Sequence, residues 1–471
     1  MAAMISCGRG PWLAVGCGLI VGCRGEPLGI GPAASPTVDA ASVTANANNV
    51  LSAAVTVRVR SADSVAVQFQ LADSGVGASA TPSVAVTADS TVVPVLGLLA
   101  AHRYTMRAIA RGLGGTSASE PLQLTTDTLP SDLPRYVAGG PDPTPGYVVF
   151  AAGRYGIVID NTGRVVWYRR FPSGPGLTFT AEPTGRYYAS PPGASLSDAA
   201  PWVELDPLGN LIRTFGCANG LAARFHDLIA QPDGSFWLLC DETRRMDLSS
   251  IGGTSGARVT GTAVQHISAT GERLFQWSPF DHFAITDGDP RDLTGADVNW
   301  THGNSLDLAS DGNLLVSFRN LGEITKIDVR TGDVIWRLGG HRNRFAFLDA
   351  PDAVFIGQHS VRSYAPGGLT LLDNLGNPAE SRAKRYALDE RRLTARLVRS
   401  YGSAPGVVTQ IGGSVQDLPG GRTLVSFGTA GRVEEYDGNG RVVWRIEQGA
   451  GYVFRAQRIR SLYAPGVGGT R

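Results

Sequence analysis

Three histidines, His226, His302 and His359, each open a strand-like segment of one recurring unit in this chain. They are the residues best placed to do chemistry, because a neutral imidazole near pH 7 can act as nucleophile, proton carrier or metal ligand. Aligning the hairpins on their turn glycines gives a register: eight residues before Gly234 is His226, eight before Gly312 is Asn304, and eight before Gly367 is His359. His302 lies two residues before Asn304, so a side-chain period of two points both to one face. Arg319, seven residues after Gly312, should lie across the hairpin from Asn304. A lone strand histidine is more often a satisfied structural group, and the shared register is what sets these three apart. His102, His266, His282 and His341 fall outside it and read as structural or exposed.

The expected result is a pocket with three imidazoles, one carboxamide and one guanidinium. Three histidines could bind zinc with a water as fourth ligand and Asp227 as base or outer-shell partner. A fixed cation beside a divalent metal is repulsive, however, whereas Arg319 and imidazoles together suit an oxyanion. The reading adopted is a site without metal or other cofactor that holds an anionic group.

The elements that must position these residues are repeated. A β-branched run follows an aspartate-and-glycine turn in Ile159 to Trp167, Leu205 to Ile212, Ile267 to Phe275, Ile327 to Trp336 and Tyr436 to Trp444, with a looser copy from Leu388 to Tyr401. A second element is a glycine-turn hairpin, as in Leu228 to Leu239, Leu306 to Val316 and Val415 to Val425. Two hairpins per unit make four strands, and about six units at roughly 40–60 residues each match a β-propeller better than a solenoid. Phe454 to Gly466 begins a hairpin without completing it, while the first unit lacks its opening strand, so the two ends are expected to share one blade.

Ahead of the repeats, residues 37–127 alternate apolar and polar side chains in short runs, at the length of one β-sandwich. The stretch from Leu98 through Ala110 and the following glycines resembles the end of a fibronectin type III-like module, whose expected role is a spacer or scaffold. The fold class is therefore all-β: a six-bladed β-propeller over 146–471, preceded by a fibronectin type III-like β-sandwich over 37–127. Linkers cover 24–36 and 128–145, the latter rich in proline.

Residues 1–23 read as a signal peptide, with Arg9 before an apolar stretch from Pro11 that is too short to span a bilayer. Ile20 to Cys23 resembles a bacterial lipobox, making Cys23 the lipidation candidate and the expected location an exported, periplasmic or cell-envelope one with possible membrane attachment through that lipid. Ordinary signal cleavage nearby is the alternative. Cys7, Cys17 and Cys23 lie in the leader, which leaves Cys217 and Cys240 as a disulfide candidate or as two thiols. Charged residues are 18 % and the net charge is +1 without runs of like charge, which argues against a nucleic-acid partner.

Several long segments carry a resemblance: His226-Asp227 before its Pro-Asp-Gly turn, Trp300 to Ser305 with Leu315 to Arg319, Ile324 to Asp328 with Thr331 to Gly340, and Gln358-His359 with Ser381 to Ala383 and Tyr386 to Asp389. In these the chain resembles the bacterial arylsulfotransferases, the aryl-sulfate sulfotransferases that need no nucleotide sulfate donor. The resemblance implies a six-bladed propeller and a ping-pong reaction that moves sulfate from an aryl sulfate ester to a phenolic acceptor through a sulfohistidine. It implies His359 as nucleophile, and His226, His302, Asn304 and Arg319 as the sulfate-binding and proton-handling set, with His302 or His226 serving the leaving phenolate. It also leads one to expect a larger residue where Gly303 stands. The alternatives are a sulfatase-like hydrolase and a non-catalytic binding propeller.

Overall fold

The computed structural model describes residues 33–72, 77–182, 185–192, 201–349, 353–377 and 379–463. The leader, with Cys23 and its lipobox reading, lies outside them. Among the described residues the chain is all-β, with short 3-10 turns between strands and no α-helix.

Six sheets follow one another among the described residues, each built on a four-strand antiparallel path. Sheet I runs through Phe179–Ala181, Tyr187–Ala189, Trp202–Leu205 and Leu211–Phe215; sheet II through Ala222–Ala230, Phe236–Met246, Ala257–Ile267 and Arg273–Trp277. Sheet III is Gly303–Leu308, Leu314–Phe318, Glu323–Ile327 and Val334–Gly339; sheet IV is His359–Tyr364, Gly368–Asp373, Arg382–Asp389 and Thr394–Gly402. Sheet V is Ser414–Leu418, Arg422–Ser426, Val433–Tyr436 and Val442–Gln448. Sheet VI combines the C-terminal strand Ala456–Ile459 with Tyr147–Ala152, Tyr155–Ile159 and Val165–Arg170. Part of the segment read as a linker is also paired: Val137–Gly139 adds a strand to the outer edge of sheet V.

The aspartate-and-glycine repeats form the outer turns, and their composition explains why. Asp160, Asp206 and Asp437 each accept backbone N–H groups from two residues of their own turn, the Asx geometry that favours Asp there. The turn glycines Gly163, Gly209 and Gly440 have φ of 92°, 80° and 82°, which side chains with a Cβ rarely adopt. Two of the tryptophans that end the motif, Trp167 and Trp444, are fully buried and reach the same turn of the following sheet. Trp167 Nε1 donates to Pro207 O at 2.8 Å, and Trp444 Nε1 to Asn161 O at 2.9 Å. These two repeats thus pack on the next, and losing such a ring costs about 3–5 kcal/mol.

Side chain to backbone bonds stitch the first strands into a closed cycle. Thr178 Oγ1 donates to His226 O (3.0 Å), Leu306 N to Asp227 Oδ2 (3.2 Å), Val361 N to Ser305 Oγ (2.8 Å) and Val415 N to Ser360 Oγ (3.3 Å). Ala456 N donates to Ser414 Oγ (3.0 Å), and Ala181 N to Gln457 Oε1 (2.9 Å) returns the cycle to sheet I. The first strands of all six sheets line one polar cavity of about 90 Å³.

Residues 37–125 form two further sheets with a core of their own, including Val55, Val65, Val93 and Met106. This unit docks on sheets VI and I: Leu96 N donates to Tyr463 Oη at 3.0 Å, Val50 N to Tyr168 Oη at 3.2 Å, and Asn46 Nδ2 to Leu208 O at 2.6 Å.

Candidate functional site

In sheets II, III and IV the pairing of the first strand with the second is interrupted where the register residues sit. The shifts fall between Ala223 and Leu228, between Gly303 and Ser305, and between His359 and Arg362. A bulge leaves residues unpaired and re-aims their side chains, which lets His226 and Asn304 leave the alternation of the strand, while His359 is the last paired residue before its bulge, opposite Leu372.

The structure brings the three histidines together. The rings of His226 and His302 meet edge to face at 5.1 Å between centroids, and Phe454 sits 5.8 Å from His226 and 6.0 Å from His359. His226 stacks on Phe225 at 4.3 Å, and its Nδ1 is buried without a hydrogen-bond partner. His302 arrives by a route other than the one expected: it precedes the strand, at φ 47°, so strand alternation does not orient it. Its Nδ1 instead accepts from Asn299 Nδ2 at 2.7 Å. An amide nitrogen only donates, so neutral His302 carries its proton on Nε2.

His359 has the opposite tautomer. Its Nδ1 faces two acceptors, Asn374 Oδ1 at 2.9 Å and Gly357 O at 3.1 Å, so the proton is there. Its Nε2 accepts from Gly412 N at 3.3 Å. One imidazole therefore offers an N–H and another a lone pair. Burial, reinforced by neighbouring guanidinium groups, holds all three rings neutral. His226 lies well below its ordinary value, His302 is lowered to about 3 and His359 to about 4.

Arg319 is partly buried, and among the described residues it pairs with no carboxylate; it donates to Asn320 Oδ1 (3.0 Å) and Gln410 O (3.2 Å). It does not lie across from Asn304, as the simple hairpin predicted. The bulge slips the register, and Arg319 N donates to His302 O at 3.0 Å. Its charge acts on both His302 and His359. Asn304 donates through Nδ2 to Gln358 O at 2.7 Å, tying sheet III to the residue before His359. Asp227 is committed elsewhere, accepting from Arg362 (2.9 and 3.2 Å) and facing Arg455 at 3.2 Å on the cavity side, so it offers no base to the histidines. Among the described residues no three His, Cys, Asp or Glu side chains are placed to hold a metal together.

Gly303 has a steric reason. A Cβ there would come within 2.6 Å of Thr262 Cγ2, and Thr262 Oγ1 accepts the Gly303 N–H at 2.9 Å. The bulk expected at 303 is supplied by the neighbouring sheet. Cys217 and Cys240 are joined by a disulfide that ties the loop before His226 to the second strand of sheet II. Beside it Arg224 pairs with Asp241 at 3.0 Å and adds its charge to His226 and His302.

The structure adds Asn374, Gly412, Phe454 and Arg224 to the residues picked from sequence. Two were within reach of the same register. Seven residues after Gly367 is Asn374, the place Arg319 holds after Gly312, and eight before Gly420 is Gly412, the place of His226 and His359.

An all-β ring of sheets with a cation-rich cluster of neutral imidazoles is the class that fold and site define. Residues 219–449, which carry sheets II to V and every histidine of the cluster, match the arylsulfotransferase (ASST) family. Among curated proteins none matches the chain. Solved structures with some similarity include a protein of unknown function from Bacteroides caccae, 14 % identical, covering 68 % of this chain and 100 % of its own, at TM-score 0.44. A streptogramin B lyase is 13 % identical, covering 67 % of this chain and 85 % of its own, at TM-score 0.38. A virginiamycin B lyase from Staphylococcus aureus is 11 % identical, covering 65 % and 87 %, at TM-score 0.37.

Proposed function

We propose that this protein is an aryl-sulfate sulfotransferase that works by a ping-pong reaction through a sulfohistidine at His359. The observation that carries the reading is the opposed tautomers of His302 and His359 beside Arg319, a guanidinium with no carboxylate partner among the described residues. The family match at the arylsulfotransferase level supports the same chemistry.

An aryl sulfate has one negative charge, which Arg319 and the imidazole N–H groups can hold while charge grows on the leaving oxygen. The His359 Nε2 lone pair leaves the Gly412 N–H and attacks sulfur, the S–O bond to the aryl group breaks, and the departing phenolate takes the bond pair while the His302 Nε2–H donates a hydrogen bond to it. A phenolic acceptor, its proton given up to water, then binds as phenolate against the same N–H, its oxygen attacks sulfur, and the S–N bond returns its pair to His359. His226 and Asn304 complete the anion-binding set. The six sheets serve as blades of a propeller and residues 37–127 as a fibronectin type III-like scaffold. The Cys217–Cys240 disulfide supports an oxidising, exported location. A lipid on Cys23 is part of the same proposal.

The test is incubation with a chromogenic aryl sulfate, with and without phenol. Transfer that requires the phenol, together with one sulfuryl group bound to the protein when phenol is withheld, is expected. Phenol release beyond one equivalent per enzyme without acceptor would mean hydrolysis instead, and full activity in His359→Ala would overturn the assignment.

A further inference from the structure

Asn374 bonds the proposed nucleophile directly at Nδ1 and reaches Nε2 through Gly412. It is fully buried at the end of the second strand of sheet IV. Its Oδ1 meets His359 Nδ1 at 2.9 Å, while its Nδ2 donates to Thr409 O and to Gly412 O, each at 2.9 Å. Those two carbonyls need donors, so the amide cannot turn over, and the acceptor end must face the imidazole. Gly412, held by this bond, directs its own N–H at His359 Nε2. Gly412 has φ 72°, and a Cβ there would come within 2.8 Å of Phe454 and of Tyr452 Oη. One carboxamide thus sets the ring's tilt and what stands at its reacting nitrogen.

The atom facing Nδ1 is an amide oxygen, and that choice has chemical weight. When Nε2 bonds to sulfur while Nδ1 keeps its proton, the ring becomes an imidazolium. A neutral acceptor steadies that cation modestly, whereas a carboxylate would steady it strongly and make the ring a poorer leaving group when the S–N bond must break.

Resting on the sulfohistidine reading, we infer that Asn374 is a positioning residue that sets the partition between the two half-reactions: it aligns His359 for attack yet leaves the sulfated ring labile enough to pass its sulfuryl group to the acceptor. A structural asparagine would affect only the amount of folded enzyme.

The experiment measures the first-turnover release of phenol, the steady-state rate and the sulfated fraction of the full chain in wild type, Asn374→Asp and Asn374→Leu, with His359→Ala as control. In Asn374→Asp the donors to Thr409 O and Gly412 O are lost, so both half-reactions should slow, but steady-state turnover should fall roughly tenfold further than the first turnover, the equivalent of one pKa unit of extra stabilisation of the charged ring, and sulfated protein should accumulate. In Asn374→Leu both half-reactions should fall about 100-fold, as for a misplaced reacting group. An Asp variant whose two half-reactions fall in equal proportion, or do not change, overturns the inference. Nitrogen NMR of the wild-type imidazoles needs no variant: a His359 proton on Nδ1 is expected, and one on Nε2 overturns it. Activity retained in His359→Ala would instead refute the sulfohistidine reading and leave the tautomer measurement standing.

Discussion

Sheets II to IV and sheets V, VI and I are built on the same plan, yet they differ where the first strand begins. In the former three the pairing breaks at His226, at Asn304 and directly after His359, and these side chains gather at one place. In the latter the pairing with the second strand runs without a shift: Ser414 to Leu418 against Arg422 to Ser426, Ala456 to Ile459 against Tyr147 to Phe150, and Phe179 to Ala181 against Tyr187 to Ala189. The regular half lends the site backbone and packing, through the N–H of Gly412 and the ring of Phe454. Reactive side chains and ring closure make opposite demands on a strand, and this molecule meets them in different sheets.

The comparison can be broken by substitutions graded across the two halves. Replacing His359 with alanine should lower transfer by about 10⁴-fold or more and abolish the sulfated intermediate, as for other covalent nucleophiles. Both are read by phenol release and intact mass. Arg319→Met should cost about 10²–10³-fold in turnover, the range for losing one charge-stabilising donor, with folding unchanged by circular dichroism. In the regular half, Gln416→Ala removes the acceptor for Arg458 N at 2.6 Å and the donor to Arg458 O at 3.2 Å. It should lower stability by about 1–3 kcal/mol in denaturant titration while kcat per folded molecule stays the same. A fall in kcat there would erase the distinction between the halves.

The smallest effect expected is on pH. His302 and His359 are buried neutral, at about 3 and about 4, whereas an unfolded histidine titrates near 6.5. Between those values the unfolded chain binds more protons, so this contribution to stability is complete above about pH 6.5 and is lost as pH falls towards 4 and then 3. His359→Gln should flatten the acid side of a stability-against-pH curve. The acid limb of wild-type activity should fall near pH 4, not near 6.5.

How far the sequence reached depends on what each inference needed. Hairpin register is a matter of counting, so His226, Asn304 and His359 could be placed at one level, and the turn motifs led to buried tryptophans such as Trp167 and Trp444. Counting fails where the backbone leaves the strand. His302 reaches the cluster through a positive φ and the Asn299 bond, and Arg319 is opposite His302 because of a bulge that no residue type announces. Gly412 fits the register but has no side chain to attract notice, since its contribution is a backbone N–H. Thr262 filling the space at Gly303 is a contact between sheets II and III, set by packing that spacing in one strand does not encode.

The joining of Ala456–Ile459 to Tyr147–Ala152 has a consequence in time. Arg458 donates to Thr144 O across 314 residues of chain, so this closure is among the longest-range events the fold requires. Phe454 and Arg455 immediately precede that strand, and Arg455 donates to the carbonyl of His226 at 3.2 Å. A chain still emerging from synthesis can therefore fold sheets II to IV and bring the imidazoles near one another without yet having their final surroundings. Completion of the reactive pocket waits for the last strand, which makes ring closure the step that turns a partly built chain into a competent one.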